Sequence, residues 1–360
     1  CQRKHNPRQF FPTNCIHTTT PLMSHCFINH YQSIKQKNLK KLPLEKRSEN
    51  VFLIDDFDLS MPERTGTYVL TEDKVTLIET SASPSIPYIL EGLQTLGVSP
   101  ADISYIIVTH IHLDHAGGAG LMLQHCPNAK VIVHPKGARH LADPSRLIMG
   151  AKAVYGDKFS QLFDPIVEIP EDRLLIKGEG DTLEISEKLN LKFLDTPGHA
   201  NHHFSIYHPL ANGIFTGDTA GIYYPQLDRE GIEFYLPSTS PNQFDPEKML
   251  HSMSRFQELG VERIFFGHYG MSENPAEAFR QVESWLEVFI EEAKNVVMKE
   301  KHPEKQIEQI TQKLYDKIKT HLTQRGLPDN HPIYELLFLD VNVSAMGLVH
   351  YLNKNTGGSK

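Results

Sequence analysis

SYIIVTHIHLDHAGG, Ser104 to Gly118, is the stretch on which the reading of this chain turns. Its β-branched and aromatic start predicts a buried strand, which runs directly into His110, His112, Asp114 and His115. Four side chains able to ligate a metal, at the mouth of one apolar strand, have no ordinary structural explanation. Gly117 and Gly118 behind them let the backbone turn tightly. His110 and His112 lie two apart in extended chain, so they project to the same side and can share one ion. Asp114 and His115 come from the turn that follows and can reach a second. Imidazole and carboxylate suit zinc, iron and manganese about equally, so ligand type alone names no metal.

Two ions need more ligands, and three further segments supply them in the same arrangement. LKFLDTPGHA places His199 beyond a strand and a Pro-Gly turn, GIFTGDT places Asp218 beyond a strand and a glycine, and RIFFGHYG places His268 beyond another. Gly-Asp and Gly-His turns are common when met singly. Their concurrence with the first cluster gives seven candidate ligands, each at the C-terminal end of an apolar run, where strand packing can gather them at one edge of the fold.

The surrounding chain supports that organisation. Thr67–Leu70 and Val75–Glu79 read as paired strands, and Lys130–His134, Leu191–Leu194, Gly213–Thr216 and Arg263–Phe266 as further ones. Ile86 to Leu96 and Pro246 to Leu259 read as amphipathic helices stopped by Gly97 and Gly260. From Ala276 the apolar spacing becomes helical, through Phe279, Val282, Leu286, Phe289, Ala293 and Val296 and again through Ile307, Ile310, Leu314, Ile318 and Leu322. These stripes predict core packing. Ile333–Phe338 reads as a short strand or helix, and Ala345–Leu352 as a separate last segment.

Composition narrows the function. The chain has 360 residues, 39% of them hydrophobic, and a mean hydropathy of -0.36. Its longest apolar runs are strand-sized, so no membrane span is expected. Residues 1–50 carry nine Lys/Arg against Glu45 and Glu49, a charge of +7, which leaves −15 on the remainder of a chain whose net charge is -8. An acidic body attracts phosphodiester backbones weakly, so no nucleic-acid partner is expected. Residues 1–50 show no apolar periodicity and read as a disordered basic tail or an upstream extension. Of four cysteines, Cys126 alone lies in the patterned body, which fits a reducing, cytoplasmic setting.

The motif THIHLDH, together with TPGH, GD and GH, resembles the metallo-β-lactamase fold superfamily in its glyoxalase II-like, dinuclear branch. The resemblance implies an α/β fold, an αββα sandwich over residues 51–275, with residues 276–360 a helical C-terminal extension covering the cleft. It also implies two divalent metal ions, zinc first, with iron or manganese as alternatives. His110, His112 and His199 would hold the first and Asp114, His115 and His268 the second, with Asp218 bridging. The implied activity is hydrolysis of a small ester-like bond (thioester, lactone or phosphoester) by metal-bound hydroxide, with Asp114 and Asp218 the catalytic carboxylates. The alternatives are a mononuclear-iron enzyme like the persulfide dioxygenases and, further off, a nucleic-acid-processing member. Tyr223, Tyr224 and His203 are the candidate contacts to a small-molecule substrate, the tyrosines as donors to a developing oxyanion and His203 as outer-shell support or simple packing. His134 has no ligand counterpart and reads as structural. A homo-oligomer is compatible with this sequence. The chain departs from many relatives at Glu79–Ser81, where they carry an Asp-Thr-Gly-like turn.

Overall fold

The computed structural model describes residues 44–356. Residues 1–43, most of the segment expected as a tail, lie outside the described residues. The expected boundary at residue 50 falls too late, because the first strand already begins at Leu44.

Two sheets face each other. The first runs in chain order: β1 (Leu44–Ser48), β2 (Val51–Asp55), β3 (Gly66–Leu70), β4 (Val75–Ile78), β5 (Ile103–Ile107), β6 (Lys130–Val133) and β7 (Leu174–Ile176). Strands β1 to β4 pair antiparallel, and β4 to β7 parallel. The second sheet contains β8 (Thr182–Ser186), β9 (Leu189–Asp195), β10 (Phe204–His208), β11 (Gly213–Gly217), β14 (Arg263–Phe266) and β15 (Met271–Ser272), in the order β15-β14-β11-β10-β9-β8. A small hairpin, β12 (Ile222–Tyr223) with β13 (Tyr235–Leu236), stands apart from both.

Helices cover the outer faces. In chain order they are α1 (Ile86–Leu96), α2 (Leu113–Ala116), α3 (Ala119–His125), α4 (Ala138–Ala142), α5 (Ser145–Tyr155), α6 (Phe159–Phe163), α7 (Pro225–Asp228), α8 (Pro246–Glu258), α9 (Pro275–Val297), α10 (Pro303–Gln324) and α11 (Ile333–Thr356). The period-two side-chain alternation of the strands explains the layering. On β2, Val51 and Leu53 enter the core between the sheets, while Ile54 joins the layer under α1 and α3. On β11 and β14, Phe215 and Phe265 face inward, and Ile214 and Ile264 face α8 and the start of α9. Sheets buried on both faces need the nearly continuous apolar runs that this sequence shows. The result is an αββα sandwich.

The C-terminal stripes pack as expected on α9 and α10. Leu286, Phe289, Ile310, Leu314, Ile318 and Leu322 are all essentially buried in one cluster that also takes in the hairpin. Each such side chain contributes about 1.5–3 kcal/mol relative to exposure. The last two segments are not separate, however. Ile333–Thr356 is one continuous helix, wedged against α9 and α10. By length and composition alone Ile333–Asn355 could cross a membrane, contrary to the expectation of strand-sized runs only, yet 61% of its most apolar stretch is buried within the fold.

Candidate metal centre

All seven candidate ligands follow strands or lie on the turn behind β5, and the strands of both sheets deliver them to one edge. His110 Nε2 lies 3.0 Å from His112 Nδ1, which lies 2.9 Å from His199 Nε2. Three ring nitrogens therefore converge from two different sheets. Beside them Asp114, His115 and His268 form a second group. His268 Nε2 is 3.8 Å and His115 Nε2 4.0 Å from Asp114 Oδ2.

The Asp218 carboxylate lies between the groups. Its Oδ2 is 3.5 Å from His199 Nε2 and 3.3 Å from His268 Nε2, and its Oδ1 is 3.2 Å from His115 Nε2. The turn that presents it requires glycine at position 217, where φ is +49° and a Cβ would come within 2.4 Å of Thr109 Oγ1 and 2.5 Å of His203 Nε2.

Outer contacts orient the rings. His199 Nδ1 donates to the Ser238 carbonyl at 3.0 Å, and Ser238 Oγ donates to Asp218 Oδ2 at 3.1 Å. His110 Nδ1 lies 3.0 Å from Thr109 Oγ1. Glu79, in the turn that departs from the family pattern, accepts the Thr109 N–H through Oε1 at 3.0 Å and places Oε2 3.3 Å from His115 Nδ1. Such partners set the tautomer and aim of a ligating imidazole.

The protonation states suit cation binding. Burial, reinforced by neighbouring imidazoles, drives His110 and His112 well below the usual histidine range, and burial also lowers His199. Burial disfavours charge on Asp218 too, but His115, His268 and His199 outweigh it and hold that carboxyl well below its usual range. Burial pushes His115 towards neutrality, and the Asp218 and Asp114 carboxylates overcome this and raise it. The carboxylates thus draw positive charge into the cluster. Both ring nitrogens of His115 and Oδ1 of Asp218 are buried without a hydrogen-bond partner among the described residues. A cation held between His115 Nε2 and Asp218 Oδ1 would satisfy those two atoms, while Nδ1 faces Glu79 Oε2, so the donor set fits a divalent metal.

The expected substrate contacts fare differently. His203 is fully buried, with Nδ1 3.0 Å from Thr196 Oγ1 and Nε2 accepting the Asp218 N–H at 3.3 Å. It supports Asp218 from behind and has no nitrogen left for a substrate. Tyr223 spends its hydroxyl on Asp228 and stacks on Tyr235 in the core outside the second sheet. Tyr224 is fully buried and donates to Asp340 Oδ2 at 2.9 Å. Neither hydroxyl is free to meet an oxyanion, because packing of the hairpin turns both rings inward. His134 bridges the sheets, its Nε2 3.0 Å from Asp195 Oδ1.

Several neighbours of the centre have no motif to announce them. Ser238 and Glu79 are two. Arg64 lies with Nη2 3.8 Å from Asp114 Oδ2. Asp340, on α11, feels the charges of Arg64, His268 and Asp218. Ser238 follows no apolar periodicity, and Glu79 stood out only as a departure in a turn.

An αββα sandwich with a seven-residue His/Asp centre at one edge defines a class of metalloprotein. The family model described as the metallo-beta-lactamase superfamily matches residues 63–268, and the chain belongs to that superfamily. The metallo-beta-lactamase fold-containing protein ST1585 of Sulfurisphaera tokodaii is 29% identical over 223 residues, covering 59% of this chain and 76% of the relative. The crystal structure of ST1585 shares the fold, with a TM-score of 0.54 over 79% of this chain and 93% of that one. Diflavin flavoprotein A 1 of Synechocystis sp. is 26% identical over 68% of this chain but only 41% of its own length. The N-acyl homoserine lactonase of Bacillus thuringiensis is 26% identical over 50% of this chain and 61% of its own.

Proposed function

We propose that this chain is a dinuclear metallohydrolase of the glyoxalase II-like kind, acting on a small ester-like bond: a thioester, lactone or phosphoester. The observation that carries the reading is the Asp218 carboxylate, with one oxygen facing His199 and His268 and the other facing His115. His110, His112 and His199 would hold one divalent ion, Asp114, His115 and His268 the other, and Asp218 both. Two such ions would supply Lewis acidity towards a carbonyl or phosphoryl oxygen and water of lowered pKa.

The chain's own residues do the rest. The neutral imidazoles of His110, His112 and His199 offer lone pairs without having to lose a proton first. Asp114 keeps 26% of its side chain exposed, so it is the ligand carboxylate nearest solvent. Burial disfavours its charge, but His115, Arg64 and His268 hold its pKa down to about 2. At neutral pH it therefore accepts hydrogen bonds and orients a nucleophile, and it is a weak carrier of protons to a leaving group. The loop at Ser238–Ser240, on which α11 leans, packs against His199 of the first group.

The lactonase relative supports an ester-like substrate, and the acidic body supports a small molecule over nucleic acid. Cys126, the one free cysteine among the described residues, is buried, in keeping with a cytoplasmic setting. The likeness to a diflavin flavoprotein favours a redox enzyme as the second reading. Metal analysis of protein purified without chelator, followed by turnover on a panel of thioesters, lactones and phosphodiesters, tests the choice. Two ions per chain with turnover on one of these classes supports hydrolysis. One iron per chain and no hydrolysis overturns it.

A further inference from the structure

The loop between β2 and β3 is held in an unusual conformation. Phe57, Leu59, Ser60 and Glu63 all have left-handed φ, at 48°, 53°, 63° and 56°. Non-glycine residues adopt this region at a cost, and it persists only where the surroundings over-determine it. Here buried carboxylates do so. Asp55 accepts the backbone N–H of Phe57 at 3.0 Å and of Glu63 at 2.9 Å, and Asp56 accepts the Thr67 hydroxyl at 3.0 Å. Asp58, 1% exposed, pairs directly with the guanidinium of Arg64, 7% exposed. The other end of that guanidinium faces Asp114 Oδ2 across 3.8 Å.

The strained loop thus delivers one buried cation to one ligand carboxylate of the centre. Left bare, a guanidinium at that place would repel a second metal ion. Asp58 offsets part of that charge and fixes one end of the planar guanidinium, so the other end meets Asp114 as an ion pair at a set place.

We infer that Arg64, clamped by Asp58, is a positioning residue for the second metal half-site, setting the Asp114 carboxylate towards the ion that His115 and His268 share. The inference rests on the two-ion reading above. The planar guanidinium spans two carboxylates, Asp58 and Asp114, which a single ammonium cannot do with the same geometry. Removing an outer partner of a ligating group typically costs about 10–100-fold in metal affinity. The loss here should fall on the second ion alone, because no contact of Arg64 reaches His110, His112 or His199.

The test is a Zn2+ titration of the chelator-stripped full chain, in competition with a chromophoric chelator. It is run on wild type, on Arg64→Lys, and on the Asp58→Asn/Arg64→Gln double variant, which leaves no unpaired buried charge. Circular dichroism checks the fold of each. The wild type should bind two equivalents, and the double variant should bind the second about 10–100-fold more weakly with the first unchanged. Arg64→Lys should show a smaller loss, again confined to the second equivalent, and it decides the matter if the double variant does not fold. A second equivalent bound normally, or both equivalents weakened in parallel, overturns the positioning role. A wild type that binds only one equivalent instead overturns the two-ion reading itself.

Discussion

The backbone N–H of Asp218 donates to Nε2 of His203 at 3.3 Å, and the same ring turns Nδ1 towards the hydroxyls of Thr196 and Thr219, at 3.0 and 3.2 Å. His203, a candidate substrate contact or outer support by sequence, therefore stands behind the carboxylate that lies between the two groups. His203→Ala would leave the Asp218 N–H and one or both hydroxyls buried and unpaired, costing about 1–3 kcal/mol of stability. It should also loosen both ions, since Asp218 faces both groups. Thermal unfolding and zinc affinity, measured together, check this; a variant that matches wild type in both would show that the contact is incidental.

Elemental analysis should find close to two divalent ions per chain. Seven side chains converge, where a single tetrahedral ion needs about four ligands. A stoichiometry of one would show that about three of the seven, such as Asp114, His115 and His268, lie idle.

Asp114→Ala should lower kcat/KM by about 100-fold or more, since outer partners alone are worth about 10–100-fold, while the fold survives. The side chain is 26% exposed, and the change removes only its carboxyl group, so little space opens in the core. Kinetics on whichever substrate the panel identifies, beside unfolding of the metal-free protein, separates the two effects. Retained turnover would remove Asp114 from the machinery.

Helix α11 reaches the centre through one glycine. A Cβ on Gly347 would fall 1.7 Å from the Thr239 carbonyl oxygen, and Thr239 adjoins the Ser238 carbonyl that receives His199 Nδ1. Gly347→Ala should cost about 1–3 kcal/mol by overpacking and weaken the first zinc equivalent more than the second. Calorimetric unfolding and the zinc titration described above would expose an error, since equal weakening of both ions points to general loosening.

Glu277 in the first turn of α9 is held down to about 2, first by hydrogen bonds from Arg280 and then by Gln281. Its folded pKa lies below the ordinary carboxyl value of 4.5, so the unfolded chain takes up this proton first as pH falls. The stabilisation is fully present above about pH 4.5 and is lost on acidification towards pH 2. Compared with wild type in the metal-free state, Glu277→Gln should unfold at lower temperature at pH 6, and the gap should close towards pH 2. A gap that does not change with pH would assign the effect to helix capping alone.

The candidate ligands were legible in the sequence because each is a local event: an apolar strand that ends in a turn bearing His or Asp. That local grammar marked the strands carrying His110, Asp218 and His268, the two helices stopped by Gly97 and Gly260, and the stripes of α9 and α10. Which histidines meet was not local. His110 and His112 come from one sheet and His199 from the other, and the packing of Phe193, Phe204, Phe215 and Phe265 against Leu53, Tyr68 and Ile107 of the facing sheet brings them together. The same holds for the side chains beside the ligand positions. Tyr223, Tyr224 and His203 lie close in sequence to ligands, but the direction of a side chain in a loop depends on what packs against it, here the hairpin, α11 and the Thr196–Thr219 hydroxyls. Arg64, Glu79 and Asp340 follow no period at all. Their positions are set by contacts between residues far apart in the chain, which single-sequence patterns do not carry and which only the folded sandwich decides.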